Sequence, residues 1–259
     1  LCTAGILGLD RVFAVGSAWA VAALAFGTET LPCVDVIAGP GNIFVATAKR
    51  LLQGQIGIDM VAGPSEIAIV ADASASAERL AADMLSQAEH DPLASSILIT
   101  DSQDLLQTTQ QELERQLAEL PRNTIARQSL SDWGACIRVP DTATGLELAN
   151  RLAPEHLELC LESPWQWIDQ VHHAGAVFLG HSTPEPVGDY FAGPNHVLPT
   201  IGTARFSSAL SVQNFTKKTS LIATSDAYIQ EHGAKIARMA RLEGLEAHAR
   251  SVETRYRCL

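Results

Sequence analysis

Along most of the chain a short apolar run is followed by a turn containing Gly or Pro and then by a stretch with helical spacing of its apolar residues. Arg11-Val12-Phe13-Ala14-Val15-Gly16 reads as a buried strand, with Ser17 as the N-cap of a helix from Ala18 to Phe26. Val34 to Ala38 is a second such strand, closed by Gly39-Pro40-Gly41-Asn42 and a helix from Ile43 to about Leu52. Three further runs, 67–71, 96–100 and 175–179, repeat the buried-strand signature, with helical periodicity from Ala75 to His90 and from Asp104 to Leu120. Strands that are apolar throughout belong in a parallel sheet covered on both faces, so the pattern predicts an α/β fold. A short helix from Thr144 to Leu152 must end near Ala153, because Pro154 disfavours αR in its predecessor. From Ser225 onward the chain is charged and helical, over Ala227 to Leu242 and Glu243 to Arg255, which predicts a small C-terminal helical domain or arm.

Composition narrows the class without naming a function. The 259 residues are 47% hydrophobic and 18% charged, enough to bury a substantial core, and the net charge of −11 argues against a surface built to neutralise nucleic acid. The apolar stretch from Val12 to Phe26 is shorter than the roughly 20 residues that span a bilayer, so no membrane segment is expected. Cys2, Cys33, Cys136, Cys160 and Cys258 are odd in number and lack CxxC spacing, which fits reduced thiols and a cytoplasmic location. No secretory signal is expected. The chain opens Leu-Cys-Thr without an initiator Met, so a chain lacking its natural N-terminus is expected.

Several polar stretches offer chemistry. In Ser86-Gln87-Ala88-Glu89-His90, Gln87 and His90 share a helix face at i and i+3; a ligand pair and a solvated helix end are both open readings. Glu155-His156 lies just before an apparent strand, where a carboxyl and an imidazole can divide proton transfer; a capping Glu and a satisfied histidine are the alternative. Asp189, in what reads as an irregular loop over 188–196, is either a hard oxygen ligand or an Asx-turn residue. His248 follows Glu243 by five positions, so the two diverge on one helix unless the turn at Gly244 redirects them. Gly39-Pro40-Gly41-Asn42 lacks GxGxxG and is a weak dinucleotide signal.

Six stretches in order give the chain a stronger identity: GPGNIFVATAKR (39–50), IDMVAGPSE (58–66), LSQAEHDP (85–92), RLAPEHLEL (151–159), TPEPVGDYFAGPNHVLPT (183–200) and EGLEAHA (243–249). Together they resemble histidinol dehydrogenase over essentially the whole length. The resemblance implies an oxidoreductase of histidine biosynthesis that takes L-histidinol through L-histidinaldehyde to L-histidine, reducing two NAD and holding substrate on one zinc ion per subunit. It implies Gln87, His90, Asp189 and His248 as zinc ligands and Glu155 and His156 as the catalytic pair, His156 taking the proton and Glu155 activating water. Ser65 and Glu243 match substrate-contacting positions beside those six, Asn42 matches a cofactor-contacting asparagine, and His196 lies in the same loop as Asp189 without a clear role. A homodimer is implied, with His248 and Glu243 serving the partner's active site.

Two departures qualify the resemblance. The family's GGAQA pattern reads Gly16-Ser17-Ala18-Trp19-Ala20 here, placing Trp19 where a glutamine contacts NAD; indole donates one N–H and accepts nothing. The family's N-terminal region, with part of the sheet, has no counterpart before Leu1. The expected architecture is therefore incomplete Rossmann-like parallel sheets with a small C-terminal helical domain: a Rossmann-like remnant near the cofactor over 1–64, an α/β domain with zinc and catalytic residues over 65–208, and a helical arm over 209–259. The alternatives are a catalytically impaired metal-binding and dimerisation remnant, or a related dehydrogenase for another small alcohol.

Overall fold

A small layer at the start of the chain forms around Val21, Ile37 and Leu52. The computed structural model describes residues 1–256, so Cys258 lies outside the described residues. Helix α1 (Cys2–Ile6) is a single short helix, and α2 (Ser17–Phe26) packs against α3 (Ile43–Leu52) beside strand β1 (Val36–Ile37), which pairs in parallel with β2 (Gly57–Ile58). The expected strand at 11–16 is not formed: the segment has no ladder, and Val12, Phe13 and Val15 are exposed. An apolar run becomes a parallel strand only where a neighbour takes its backbone N–H and C=O groups, and none lies beside it among the described residues. Ser17 is the first helical residue rather than the cap; Gly16 occupies the N-cap position without a side-chain bond. The expected strand over 34–38 shortens to Val36–Ile37.

Asn42 caps α3, its Oδ1 accepting from the N–H groups of Phe44 and Val45. The Gly39–Asn42 turn is braced from behind by a buried ion pair. Lys49 Nζ lies 2.6 Å from Asp59 Oδ1 and donates to the Gly39 carbonyl, while the Gly39 N–H donates to Asp59 Oδ2.

Strands β3 (Glu66–Ala71), β4 (Ser95–Thr100), β5 (Ala135–Arg138), β6 (His156–Cys160) and β7 (Ala176–Leu179) form one parallel sheet in the order β5-β4-β3-β6-β7. The crossovers are α4 (Ala77–Ala88) into β4, then α5 (Gln103–Leu117) and α6 (Asn123–Trp133) into β5, then α7 (Thr142–Leu152) into β6. Helix α6 and strand β5 are not legible in the apolar pattern, because β5 is only partly buried and α6 buries little beyond Ala126 and Ser129. Alternate residues of β3 serve opposite faces. Ile67, Ile69 and Ala71 share a core with Leu80 and Met84 of α4, Leu113 and Leu117 of α5 and Ala126 of α6, whereas Ala68 and Val70 pack on Leu146 and Ala149 of α7. Each fully buried Leu or Ile contributes about 1.5–3 kcal/mol, so two-sided burial of β3 and β6 anchors the sheet centre. From β3 the chain builds outward to β5, then returns to β6 on the other side, which makes the β3–β6 seam the topological switch point.

Past β7, α8 (Pro186–Tyr190) carries Asp189, so that residue is helical rather than part of the expected loop. Helices α9 (Asp226–Leu242) and α10 (Glu246–Tyr256) make an antiparallel pair in the second of the two compact units, Thr216–Leu259, the first being Leu1–Phe215. Arg241 bridges Glu246 and Glu253 within that pair. Among the described residues no helix is long and apolar enough to cross a membrane, and Cys2, Cys33, Cys136 and Cys160 are free thiols.

Removing Lys49 leaves Asp59 buried without its cation, so Lys49→Met should destabilise the first unit by about 3 kcal/mol in denaturant titrations, with Lys49→Met/Asp59→Leu recovering most of the loss. Equal stability of the wild type and the single variant would show that the pair contributes nothing.

Candidate active site at the amino edge of the central strands

In open α/β sheets, ligands usually sit beyond the carboxyl ends of the strands. Here the chemistry-bearing residues gather at the opposite edge. The β3–β6 register sets Ile67 opposite His156, so the residues entering both strands, Ser65 and Glu66 on one side and Glu155 and His156 on the other, become neighbours. Helices run back against the strands, so α4 and α7 finish at this edge, at Ala88 and Leu152. The negative ends of helix dipoles favour cations, which suits an imidazolium, an ammonium or a metal. Ala153, in the left-handed conformation, and Pro154 turn the chain sharply from α7 into β6.

His156 is 3% exposed, and its two ring nitrogens have different surroundings. Nδ1 lies 3.1 Å from the Glu66 carbonyl oxygen and 3.0 Å from Gln87 Oε1. Both partners are acceptors, so Nδ1 carries the proton and Nε2 keeps its lone pair. Burial pushes the imidazole pKa down to about 4, against the Glu185 carboxylate that raises it, so the ring is a neutral base at physiological pH.

Glu155 is also buried. Its Oε2 accepts from the Glu66 N–H at 3.2 Å, and the Ser65 side chain also hydrogen-bonds its carboxyl. Burial pushes its pKa up to about 8, only partly offset by those hydrogen bonds. Glu66 is likewise raised by burial, against backbone N–H donors at Ile201 and Gly202. Glu155 and His156 thus put a proton-holding carboxyl and a neutral imidazole side by side at the head of β6.

Helix α8 and the loop after it close the third side. Gly188 packs so tightly that a Cβ there would stand 2.9 Å from the Phe178 ring and 2.8 Å from His196 Cε1; its bare backbone is what lets His196 come in. His196 Nε2 lies 3.0 Å from His156 Nε2, with the two rings only 13° from parallel. Glu185, 1% exposed, places Oε1 3.4 Å from His196 Nε2 and 3.7 Å from His156 Nε2. Among the described residues that oxygen is the buried side-chain polar atom left without a hydrogen-bond partner. Against its burial, the two imidazoles hold Glu185 below the ordinary carboxylate range, and the Glu185 carboxylate in turn raises His196. The backbone N–H of Glu185 is anchored by Glu158 Oε1 at 2.8 Å, two residues along β6 from His156.

Three of the expected zinc ligands belong to this edge. Gln87 is fully buried, and its amide nitrogen lies 3.3 Å from His90 Nδ1 across one turn of the α4 end. Asp189 Oδ1 sits 3.3 Å from His196 Nε2 and interacts electrostatically with His90. An amide oxygen, an imidazole and a carboxylate form a donor set suited to Zn²⁺. His248 belongs to the second unit, near the start of α10, and Glu243 caps the end of α9. The turn at Gly244, with φ +76°, folds α10 back so that both residues line one groove of about 560 Å³ with Leu245 and Val252. Asn42 is exposed with its carbonyl oxygen spent on the α3 cap, and Trp19 is 78% exposed on α2.

Sequence reasoning gave no role to Glu66 or Glu185. Glu185 had one signal: an acidic residue held between Pro184 and Pro186 has a restricted backbone and a defined direction. Glu66 had none, since its main contribution is a backbone carbonyl.

Known proteins match the chain over nearly its whole length. The model of the family described as histidinol dehydrogenase matches residues 1–256. Among named relatives, the histidinol dehydrogenase of Oleidesulfovibrio alaskensis is 63% identical over 255 residues, covering 98% of this chain and 59% of that protein. That of Bacillus subtilis is 55% identical over 258 residues, covering 99% and 60%. The crystal structure of histidinol dehydrogenase from Elizabethkingia anophelis superposes with a TM-score of 0.90 at 40% identity, over 99% of this chain and 59% of that one. The chain thus spans about three fifths of the length of the relatives it matches. With the family model spanning the described chain and the solved relative sharing its fold, the chain belongs to the histidinol dehydrogenase family.

Proposed function

We propose that this chain carries the zinc and proton-transfer centre of an NAD-dependent enzyme that oxidises L-histidinol through L-histidinaldehyde to L-histidine, the last steps of histidine biosynthesis. The observation that carries this reading is the clamp on His156: two acceptors hold the Nδ1 proton, which leaves the lone pair on Nε2, beside His196 and Glu185, as the base. The hydroxyl proton of the alcohol would pass to His156 Nε2, and Glu155 would take a proton from the water that adds to the aldehyde. NAD, when bound, would supply the hydride acceptor for each of the two oxidations. Ser65 and Glu243 would contact the substrate.

Gln87, His90 and Asp189, completed by His248 of the partner subunit, would hold one zinc ion per subunit. Zinc, when bound, supplies a Lewis-acidic anchor for the imidazole and amine of the substrate. This arrangement makes a homodimer necessary, with Glu243 and His248 reaching the partner's centre. Asn42 would contact the cofactor through its uncommitted amide nitrogen, with Trp19 on the neighbouring helix in place of the usual glutamine. No nucleic-acid or membrane partner is expected, and free thiols with a biosynthetic role fit a cytoplasmic enzyme. The exposed 11–16 segment and Trp19 favour a second reading, a metal-binding and dimerising chain with impaired turnover; NADH formation from histidinol by the zinc-loaded dimer separates the two.

His156→Asn should lower kcat by about 10²–10⁴-fold and leave the zinc equivalent held by Gln87, His90 and Asp189 in place; loss of that equivalent would make His156 one of its ligands instead. Because Glu155 must be ionised to take a proton from water, and its pKa is raised to about 8, oxidation of the aldehyde should accelerate as pH rises through that value and then level off. Glu155→Gln should be slow and flat over the same range; an unchanged profile would remove Glu155 from the step. Mixed dimers of His248→Ala and His156→Ala chains at equal amounts should regain about a quarter of wild-type activity, since half the dimers contain one intact centre. No recovery would place both residues in one subunit's site.

A further inference from the structure

The edge of the sheet holds a second set of donors besides Gln87, His90 and Asp189. His156 Nε2, His196 Nε2 and Glu185 Oε1 form a triangle with sides of 3.0, 3.4 and 3.7 Å. Ligands about 2.0–2.1 Å from a tetrahedral Zn²⁺ stand roughly 3.3–3.4 Å apart, so the triangle has the size of one face of such a site. Two imidazoles and one carboxylate are a donor set that binds zinc in proteins. The second, independent observation is Glu185 itself. Its Oε1 is buried, lacks a hydrogen-bond partner and faces both imidazoles, although a buried carboxylate oxygen ordinarily has its acceptor capacity filled.

We infer that His156, His196 and Glu185 form a second divalent-cation site, separate from the Gln87–His90–Asp189 set, that takes a borderline ion such as Zn²⁺ or Co²⁺ when the cation is in excess. The surroundings support the assignment. Glu158 fixes the Glu185 backbone from β6, and Nδ1 of His156 is oriented by Glu66 and Gln87, so two of the three ligands are braced from behind. The missing Cβ of Gly188 seats His196 against them. Asp189 Oδ1 touches only the His196 corner, at 3.3 Å, and stays with the first set. A cation here occupies the lone pair of His156 Nε2 that the proposed reaction needs, so filling the site should inhibit turnover; that consequence, unlike the site, rests on His156 being the base.

Equilibrium dialysis of the full chain against Zn²⁺, with bound metal counted, should reveal two equivalents per chain in the wild type. His196→Asn and Glu185→Gln should each weaken one equivalent by at least about tenfold and keep the other. His90→Asn should lose the other equivalent and keep this one. Co²⁺ in place of Zn²⁺ should give a visible absorption band on filling the second site, absent from His196→Asn. A chain that binds a single equivalent, lost in His196→Asn and kept in His90→Asn, still supports this site and counts only against the Gln87–His90–Asp189 reading. Zinc binding unchanged in both His196→Asn and Glu185→Gln, with both variants folded by circular dichroism, would overturn the proposal.

Discussion

The proton on Nδ1 of His156 organises the site. A buried imidazole nitrogen that bears hydrogen must find an acceptor, and here it finds two, the carbonyl of Glu66 on β3 and the amide oxygen of Gln87 on α4. One hydrogen-bonded nitrogen therefore ties two strands and a helix end to a common point. The β3–β6 register is what brings Glu66 within reach, and a slip of one residue would turn His156 toward the opposite face. The tautomer that follows is the one a base requires, so the packing of the sheet centre and the chemistry of the ring have the same origin.

Electrostatics explains why this happens at the amino edge. Two helices end there, and Glu66, Glu155, Glu185 and Asp189 gather beside three imidazoles. Burial resists so many ionised carboxyls, and the site responds unequally: Glu155 and Glu66 are pushed toward the protonated form, while Glu185 stays ionised between His156 and His196. Carboxyl groups with their pKa values driven apart can serve different tasks within a few ångströms, one exchanging a proton and another holding a cation.

The ion pair behind the Gly39–Asn42 turn plays a similar part in the small layer. Lys49 donates to the Gly39 carbonyl and Asp59 accepts from the Gly39 N–H, so the turn preceding α3 has its geometry set by buried charge. That leaves the exposed side of the turn, with the Asn42 amide, free of structural duty beyond the helix cap.

Continuous apolar runs announced β3, β4 and β7, and helical spacing announced α3, α4 and α7, because burial on both faces or on one stripe leaves its period in the residues themselves. The motifs around Gln87, Glu155, Asp189 and His248 were legible at the same level, as residue types at fixed spacing. What only the tertiary structure decided is what depends on partners distant in the chain. The 11–16 run has the composition of a strand and lacks a neighbour to pair with among the described residues; β5 and α6 exist because β4 and α4 offer them surfaces. Glu66 acquired its place through a backbone carbonyl, which no side-chain pattern encodes, and Glu185 through a buried oxygen whose surroundings its flanking prolines do not specify. The sequence by itself determined the fold class and the chemical types at the site; the register of β3 against β6 decided which atoms meet, since hydrogen bonding and burial are set by atoms brought together from some ninety residues apart.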